Sequence, residues 1–120
     1  MDYLLIAIKL IVGLSILNVW LLRPSKSSPW RGGDANNMKE EFAAYNLPEN
    51  FMQIIGTVKV ALAVGFIASI WFEKLELYCG LGIAALMLGA VAMHIKIKDP
   101  LKKSVPALSF LILSLIVVLF

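Results

Sequence analysis

Four long apolar blocks decide what this chain can fold into. They cover about 3–22, 52–72, 77–95 and 100–120, each with few charges. A helix rises about 1.5 Å per residue, so a hydrocarbon core about 30 Å thick takes about 20 residues. Each block is close to that length. Backbone amides in lipid must be satisfied within their own segment, which makes such blocks helices. The expected fold is therefore all-α: a polytopic membrane four-helix bundle forming one domain over 1–120, with a loop over 23–51.

Charged residues mark the ends of the spans. Arg23 and Pro24 stop the first, Glu73 and Lys74 the second, and Lys96, Lys98 and Asp99 the third. Asp99 as N-cap, with Pro100 at the first helical position, would start the fourth. Lys102 and Lys103 would then snorkel to the headgroups. The chain is 60% hydrophobic and 16% charged, against roughly 45–50% and about 25% in soluble domains. A cleavable leader over the first block is disfavoured. Lys9 would be its only basic side chain, and no small-residue cleavage site follows.

The first and third connections hold Arg23, Lys26, Arg31, Lys39, Lys96, Lys98, Lys102 and Lys103; the second holds only Lys74. The positive-inside rule puts the first and third in the cytoplasm and both termini outside. Trp20, Trp71, Tyr3 and Tyr78 near the span ends suit an aromatic belt. A net charge of +3 without a basic stripe argues against nucleic acid as a partner. The lone Cys79 removes intrachain thiol–disulfide exchange.

The long first connection opens with Pro24, Ser25, Ser27, Ser28 and Pro29, then Trp30, Arg31, Gly32 and Gly33. Asn37 with Glu40 makes a capping box. The helix it starts places Met38, Phe42 and Tyr45 on one face, and Asn46 tolerates a left-handed C′ position before Leu47-Pro48. A short amphipathic helix on the membrane or under the bundle follows. Asn50 with Gln53 reads as a second cap opening the second span. Gly82, Ala85, Gly89 and Ala92 form a small-residue stripe on the third helix, and Ala61, Gly65 and Ala68 one on the second. Such stripes let helices approach closely, most simply within the bundle.

Few polar side chains lie at depth. Lys59, about two turns inside the second span, either faces the bundle interior or snorkels to the cytoplasmic interface. For Lys9, snorkelling to the outside is the simpler reading. Asn18 and Ser15 lie further along the same helix, where an Asn commonly bonds another helix. His94 closes the third span. Without companion ligands it builds no metal site, and Met87 and Met93 are weak partners for a haem. It reads as a structurally bonded His, or as a contact for a proton or a quinone carbonyl. Glu40 and Glu41 read as a helix start favoured by the dipole, or as partners for Lys59 or Arg31. The turn Arg31-Gly32-Gly33-Asp34 is too short to argue phosphate binding. No phosphate loop, nucleophile elbow or H-E-x-x-H occurs.

Two segments resemble the DoxX-like family: WRGGDANNMKEEFAAYNLP over 30–48, and LMLGAVAMHIKIKDP over 86–100 followed by Pro106-Ala107. Gly56 and Lys59 fit its second-span pattern. Asn46 departs from the Gly usual there, and both residues suit a left-handed cap. The resemblance implies a small four-helix bacterial inner-membrane protein. Some members of the wider family are linked to quinone-coupled oxidation or membrane oxidoreductase complexes, and most have no assigned activity.

These readings converge on an accessory or binding subunit, not catalytic on its own, with no cofactor or metal of its own. Its pocket would take a lipid- or quinone-like molecule, or serve a membrane protein partner or a second copy. The expected ligand-binding residues are Lys59, His94, Arg31, Glu40, Glu41 and Trp30. The alternative is a component of a quinone-linked membrane oxidoreductase complex, against which stands the lack of an electron-carrier motif. A small transporter is a third reading, disfavoured because no span is broken at its middle.

Overall fold

The structure, a computed structural model, describes residues 3–22, 32, 33 and 35–120. Among them the chain is mostly helical and has no strand. Helix α1 (Tyr3–Leu17) runs into a π-helical turn over Asn18–Leu22. Helix α2 (Met38–Ala44) lies in the first connection, followed by α3 (Glu49–Ala68) and α4 (Lys74–Lys96). A 3₁₀ turn over Leu101–Ser104 leads into α5 (Val105–Leu119). Four helical stretches are long and apolar enough to cross a membrane: Tyr3–Leu22, Glu49–Ala68, Lys74–Lys96 and Leu101–Leu119. The protein is thus a polytopic membrane four-helix bundle with a short helix in its first connection.

Helix α1 packs on α3 and α5, α3 on α4, and α4 on α5, closing a ring. The core follows helical spacing. Ile8, Val12 and Ile16 project from α1, Ala63 and Phe66 from α3, and Cys79, Ile83 and Met87 from α4. Ala107 and Val117 project from α5. Close approaches occur where a β-carbon is missing. One placed on Gly80 would lie 2.5 Å from Val118, and one on Gly13 would lie 2.5 Å from Ile67.

The expected small-residue stripe on α4 is not its packing face. Gly82 does meet Leu62, but Ala85, Gly89 and Ala92 are exposed. The face formed by Cys79, Gly80, Ile83, Ala84 and Met87 is buried instead. On α3, Gly65 packs against Cys79 while Ala61 is exposed. Larger apolar side chains settle the helix faces, and the small residues follow them.

Two turns shape the first and third connections. At α2, Asn37 Oδ1 accepts from Glu40 N at 2.8 Å, as a cap should. The Glu40 carboxylate accepts from Asn37 Nδ2 at 2.8 Å and from Asn36 N at 3.4 Å. The helix ends with Asn46 at φ +63°. Leu47 N donates to Phe42 O and Asn46 N to Ala43 O, both at 2.9 Å. This is the Schellman pattern.

Helix α4 ends the same way. Lys98 stands at φ +59°, Asp99 N donates to His94 O at 2.9 Å, and Lys98 N donates to Ile95 O at 3.0 Å. The turn folds Asp99 back onto His94, so Asp99 does not cap the fourth span. Pro100 is the residue before the 3₁₀ turn, and Pro106 sits in the first turn of α5. The second expected cap shifts too. Extended Pro48 precedes α3, and Asn50 lies inside its first turn.

Lys9 does not snorkel. It is 4% exposed, pairs with Glu76 at 2.8 Å, and donates to Ser69 O at 3.3 Å. Glu76 stands in the first turn of α4, so the pair ties α1 to the start of α4. At this depth a carboxylate and a carbonyl hold the ammonium better than a strained reach for the interface.

Candidate functional site: a cavity with one polar end

A cavity of about 440 Å³ lies between all five helices, at the end of the bundle that carries the first and third connections. Most of its wall is apolar. Ile16 and Val19 come from α1 and its π turn, Phe51 and Ile55 from α3, and Leu86, Met87, Ala90 and Met93 from α4. Pro106, Ala107 and Phe110 close the α5 side. Trp20, Phe42, Phe51 and Tyr45 form an aromatic wall, with ring centroids 5.9–6.5 Å from Phe42. The α2 face expected to be apolar is turned inward: Met38, Phe42 and Tyr45 are all buried.

A chain of polar contacts runs along one side of the cavity, and Asn18 lines it as well. Glu41, Tyr45, Lys59, His94 and Lys103 all line the cavity. His94 Nδ1 lies 2.7 Å from Asp99 Oδ2, and the Asp99 side chain is 6% exposed. Asp99 also accepts from Gly33 N, at 3.1 Å to Oδ1 and 3.3 Å to Oδ2. Lys103 lies 4.0 Å from Asp99 and donates to Gly33 O. Tyr45 Oη lies 3.1 Å from Glu41 Oε2 and 3.5 Å from His94 Nε2. Glu41 also accepts from Gly32 N at 3.1 Å, and Lys96 donates to Tyr45 O at 3.1 Å.

Local rules explain why these groups meet. The capping box starts α2 so that Glu41 and Tyr45 fall one turn apart on its inner face. The Schellman turn brings Asp99 to His94. The Gly32–Gly33 turn covers both: Gly33 is at φ +57°, and a β-carbon on Gly32 would strike the Tyr45 ring at 2.5 Å. Left-handed backbone and close approach are the two uses for which glycine is suited.

Of the residues expected from sequence, Lys59, His94 and Glu41 stand together on the cavity. Glu40 does not: it is exposed and its carboxylate completes the cap. Trp30 and Arg31 lie outside the described residues. Three participants were not foreseen in their roles. Asp99 was read as a cap and Tyr45 as an apolar-face residue. Trp20 was read as an interfacial residue, yet Lys59 Nζ sits over its ring, 5.2 Å from the centroid. That placement allows a cation–π contact. Gly56 makes room for the same ring, since a β-carbon there would lie 2.5 Å from Trp20. The spacing of Gly56 and Lys59 was the available signal.

The family model for the DoxX-like family matches residues 31–117. The chain belongs to the DoxX-like family. No curated protein and no solved structure matches it. The matched range holds both glycines of the turn, α2, α3, α4 and the Asp99 turn, so it contains Glu41, Tyr45, Lys59, His94 and Asp99. Helix α1, with Lys9 and Trp20, precedes it. In this DoxX-like protein the matched stretch therefore contains these polar groups of the cavity.

Proposed function

We propose that this DoxX-like membrane protein is a binding or accessory subunit whose cavity takes up a lipid- or quinone-like amphiphile. One observation carries the reading: a largely apolar cavity of about 440 Å³ whose few polar side chains include Glu41, Tyr45, Lys59 and His94. Ligand sites have that composition, with apolar walls for affinity and a few placed polar groups for orientation. The apolar body of the ligand would lie along the aromatic wall, with its head against Lys59, His94 and Glu41. We further propose a bacterial cytoplasmic membrane, with these polar side chains toward the cytoplasmic side and both termini outside. The charge bias of the connections supports that orientation. So does the joining of the first and third connections through Gly33–Asp99 and Lys96–Tyr45.

The test is a titration of the detergent-solubilised protein with decylquinone, read by quenching of tryptophan fluorescence. Gly89 lines the cavity, and nothing lies within 4 Å of where its β-carbon would be. Gly89→Leu should therefore add a side chain at the cavity wall, which is open there, without a clash. Saturable quenching in the wild type that Gly89→Leu weakens supports the proposal. Identical, non-saturating quenching in both proteins contradicts it.

A further inference from the structure

We propose that the cavity opens sideways into the hydrocarbon between α3 and α4, beside Gly89 and Ile55, and that its ligand is a long-chain amphiphile drawn from the bilayer, whose tail stays in that gap. This rests on the reading of the cavity as a ligand site and adds the route and the kind of chain.

The seam between α3 and α4 is closed at one end. A β-carbon on Gly65 would lie 2.5 Å from Cys79 Sγ, and one on Gly82 would lie 2.9 Å from Leu62. Both pairs belong to one antiparallel register. About two turns beyond Gly82, that register sets Gly89 opposite Ile55. There the seam is open. Gly89 is exposed, as are Ala85, Leu88 and Ala92 around it. Among the described residues nothing lies within 4 Å of where the Gly89 β-carbon would be. Gly89 and Ile55 also line the cavity, with Phe51, Leu86 and Met93 from the same two helices. A residue that is both exposed on the outer face and part of the wall marks a mouth.

Depth and size decide what can use it. Helix α4 ends at Lys96, so Gly89 stands about 10 Å inside the end of the span. A mouth at that depth faces acyl chains, with Ile54, Val58, Ala85 and Ala92 exposed beside it. A water-borne polar solute would have to cross hydrocarbon to reach it, at a high desolvation cost. An amphiphile already in the bilayer moves in sideways. Helix α2, by contrast, covers the cavity, since Met38, Phe42 and Tyr45 are buried and line it. At about 30 Å³ for each non-hydrogen atom, a cavity of about 440 Å³ holds roughly 15 of them. A substituted ring uses that space, and a chain of ten or more carbons has to continue outside. The gap leads such a chain into lipid. Its methylenes there keep the surroundings they had before binding and add nothing to affinity.

The test uses the full chain in phosphatidylcholine nanodiscs. The probes are decylquinone, a decylquinone analogue with a diazirine at the end of its tail, and a quinone with the same head and a tail several times longer. Binding is read by quenching of tryptophan fluorescence, with concentrations expressed per lipid, and the photolabel by mass spectrometry of peptides. The diazirine should mark the lipid-facing residues beside the gap, Ile54 and Val58 on α3 and Ala85 and Ala92 on α4. An excess of untagged decylquinone should abolish that mark, and Gly89→Leu should lose it. The long-tailed quinone should bind within about threefold of decylquinone, because its extra methylenes pass from lipid to lipid. Competed labelling on α1, α2 or α5, labelling spread evenly over the four spans, a mark that persists in Gly89→Leu, or a loss of about tenfold or more for the long tail would each overturn the sideways opening while leaving the ligand site intact. Saturable quenching by none of the probes would overturn both readings.

Discussion

Removing either partner of the Lys9–Glu76 pair should not have equal effects. The ammonium side chain is 5% exposed and the carboxylate side chain 26% exposed, at a separation of 2.8 Å. Glu76→Gln strands a charge in a nearly closed apolar site where, among the described residues, Ser69 O is left to receive it. Breaking a buried pair in this way costs about 3–5 kcal/mol. The surviving bond to Ser69 O argues for about 3 kcal/mol. Lys9→Met removes the buried charge and keeps similar packing volume. The remaining Glu76 is partly exposed and can take up water, so the loss should be about 1–2 kcal/mol. The double variant has no charge to strand and should lie within about 1 kcal/mol of wild type. Equilibrium unfolding in mixed detergent micelles measures all three. The reasoning requires Glu76→Gln to be the worst variant and the double variant to recover most of the loss. Single effects below about 0.5 kcal/mol that simply add would refute it and restore Lys9 to the interface.

Three further outcomes follow from the same geometry. Asp99→Ala should destabilise the protein by about 3–5 kcal/mol, because it leaves His94 Nδ1 and Gly33 N without their shared acceptor; Asp99→Asn should cost less, and equal losses on thermal unfolding in detergent would count against the turn described here. Lys59→Met and Glu41→Gln, made singly and together, should show coupling if the two groups interact across the cavity, whereas additive effects in the same unfolding assay would leave Lys59 held by Trp20 alone. A cysteine placed at Lys74 should react with an impermeant thiol reagent in intact cells and one at Lys98 should not; the opposite pattern would reverse the proposed orientation.

Much of the bundle was legible because the bilayer imposes one length and one pattern on every span. The α2 helix was legible because Asn37 and Glu40 carry the capping chemistry themselves. Lys59, His94 and Glu41 could be placed at one end from topology alone, since odd connections share a side. Asp99 was not legible as a partner of His94. The turn that joins them needs a left-handed residue at Lys98, and neither Gly nor Asn marks that position. A side chain there costs roughly 1–2 kcal/mol, so tertiary bonds from Asp99 to Gly33 have to hold the turn. The π turn after α1 and the seat of Trp20 above Gly56 escaped for a similar reason. Both depend on how two helices meet. The burial of Lys9 was not legible because Glu76, its partner, lies 67 positions away in sequence, and nothing local to Lys9 points to it.

The central claim is that the cavity holds a small amphiphilic molecule in the membrane. Native mass spectrometry of the protein released from mild detergent tests it most directly, run side by side on wild type and Gly89→Leu. The account predicts a stoichiometric small-molecule adduct on the wild type that is lost or sharply reduced in Gly89→Leu, with both proteins equally folded. A wild type that carries no adduct, or one retained undiminished in Gly89→Leu, would contradict it.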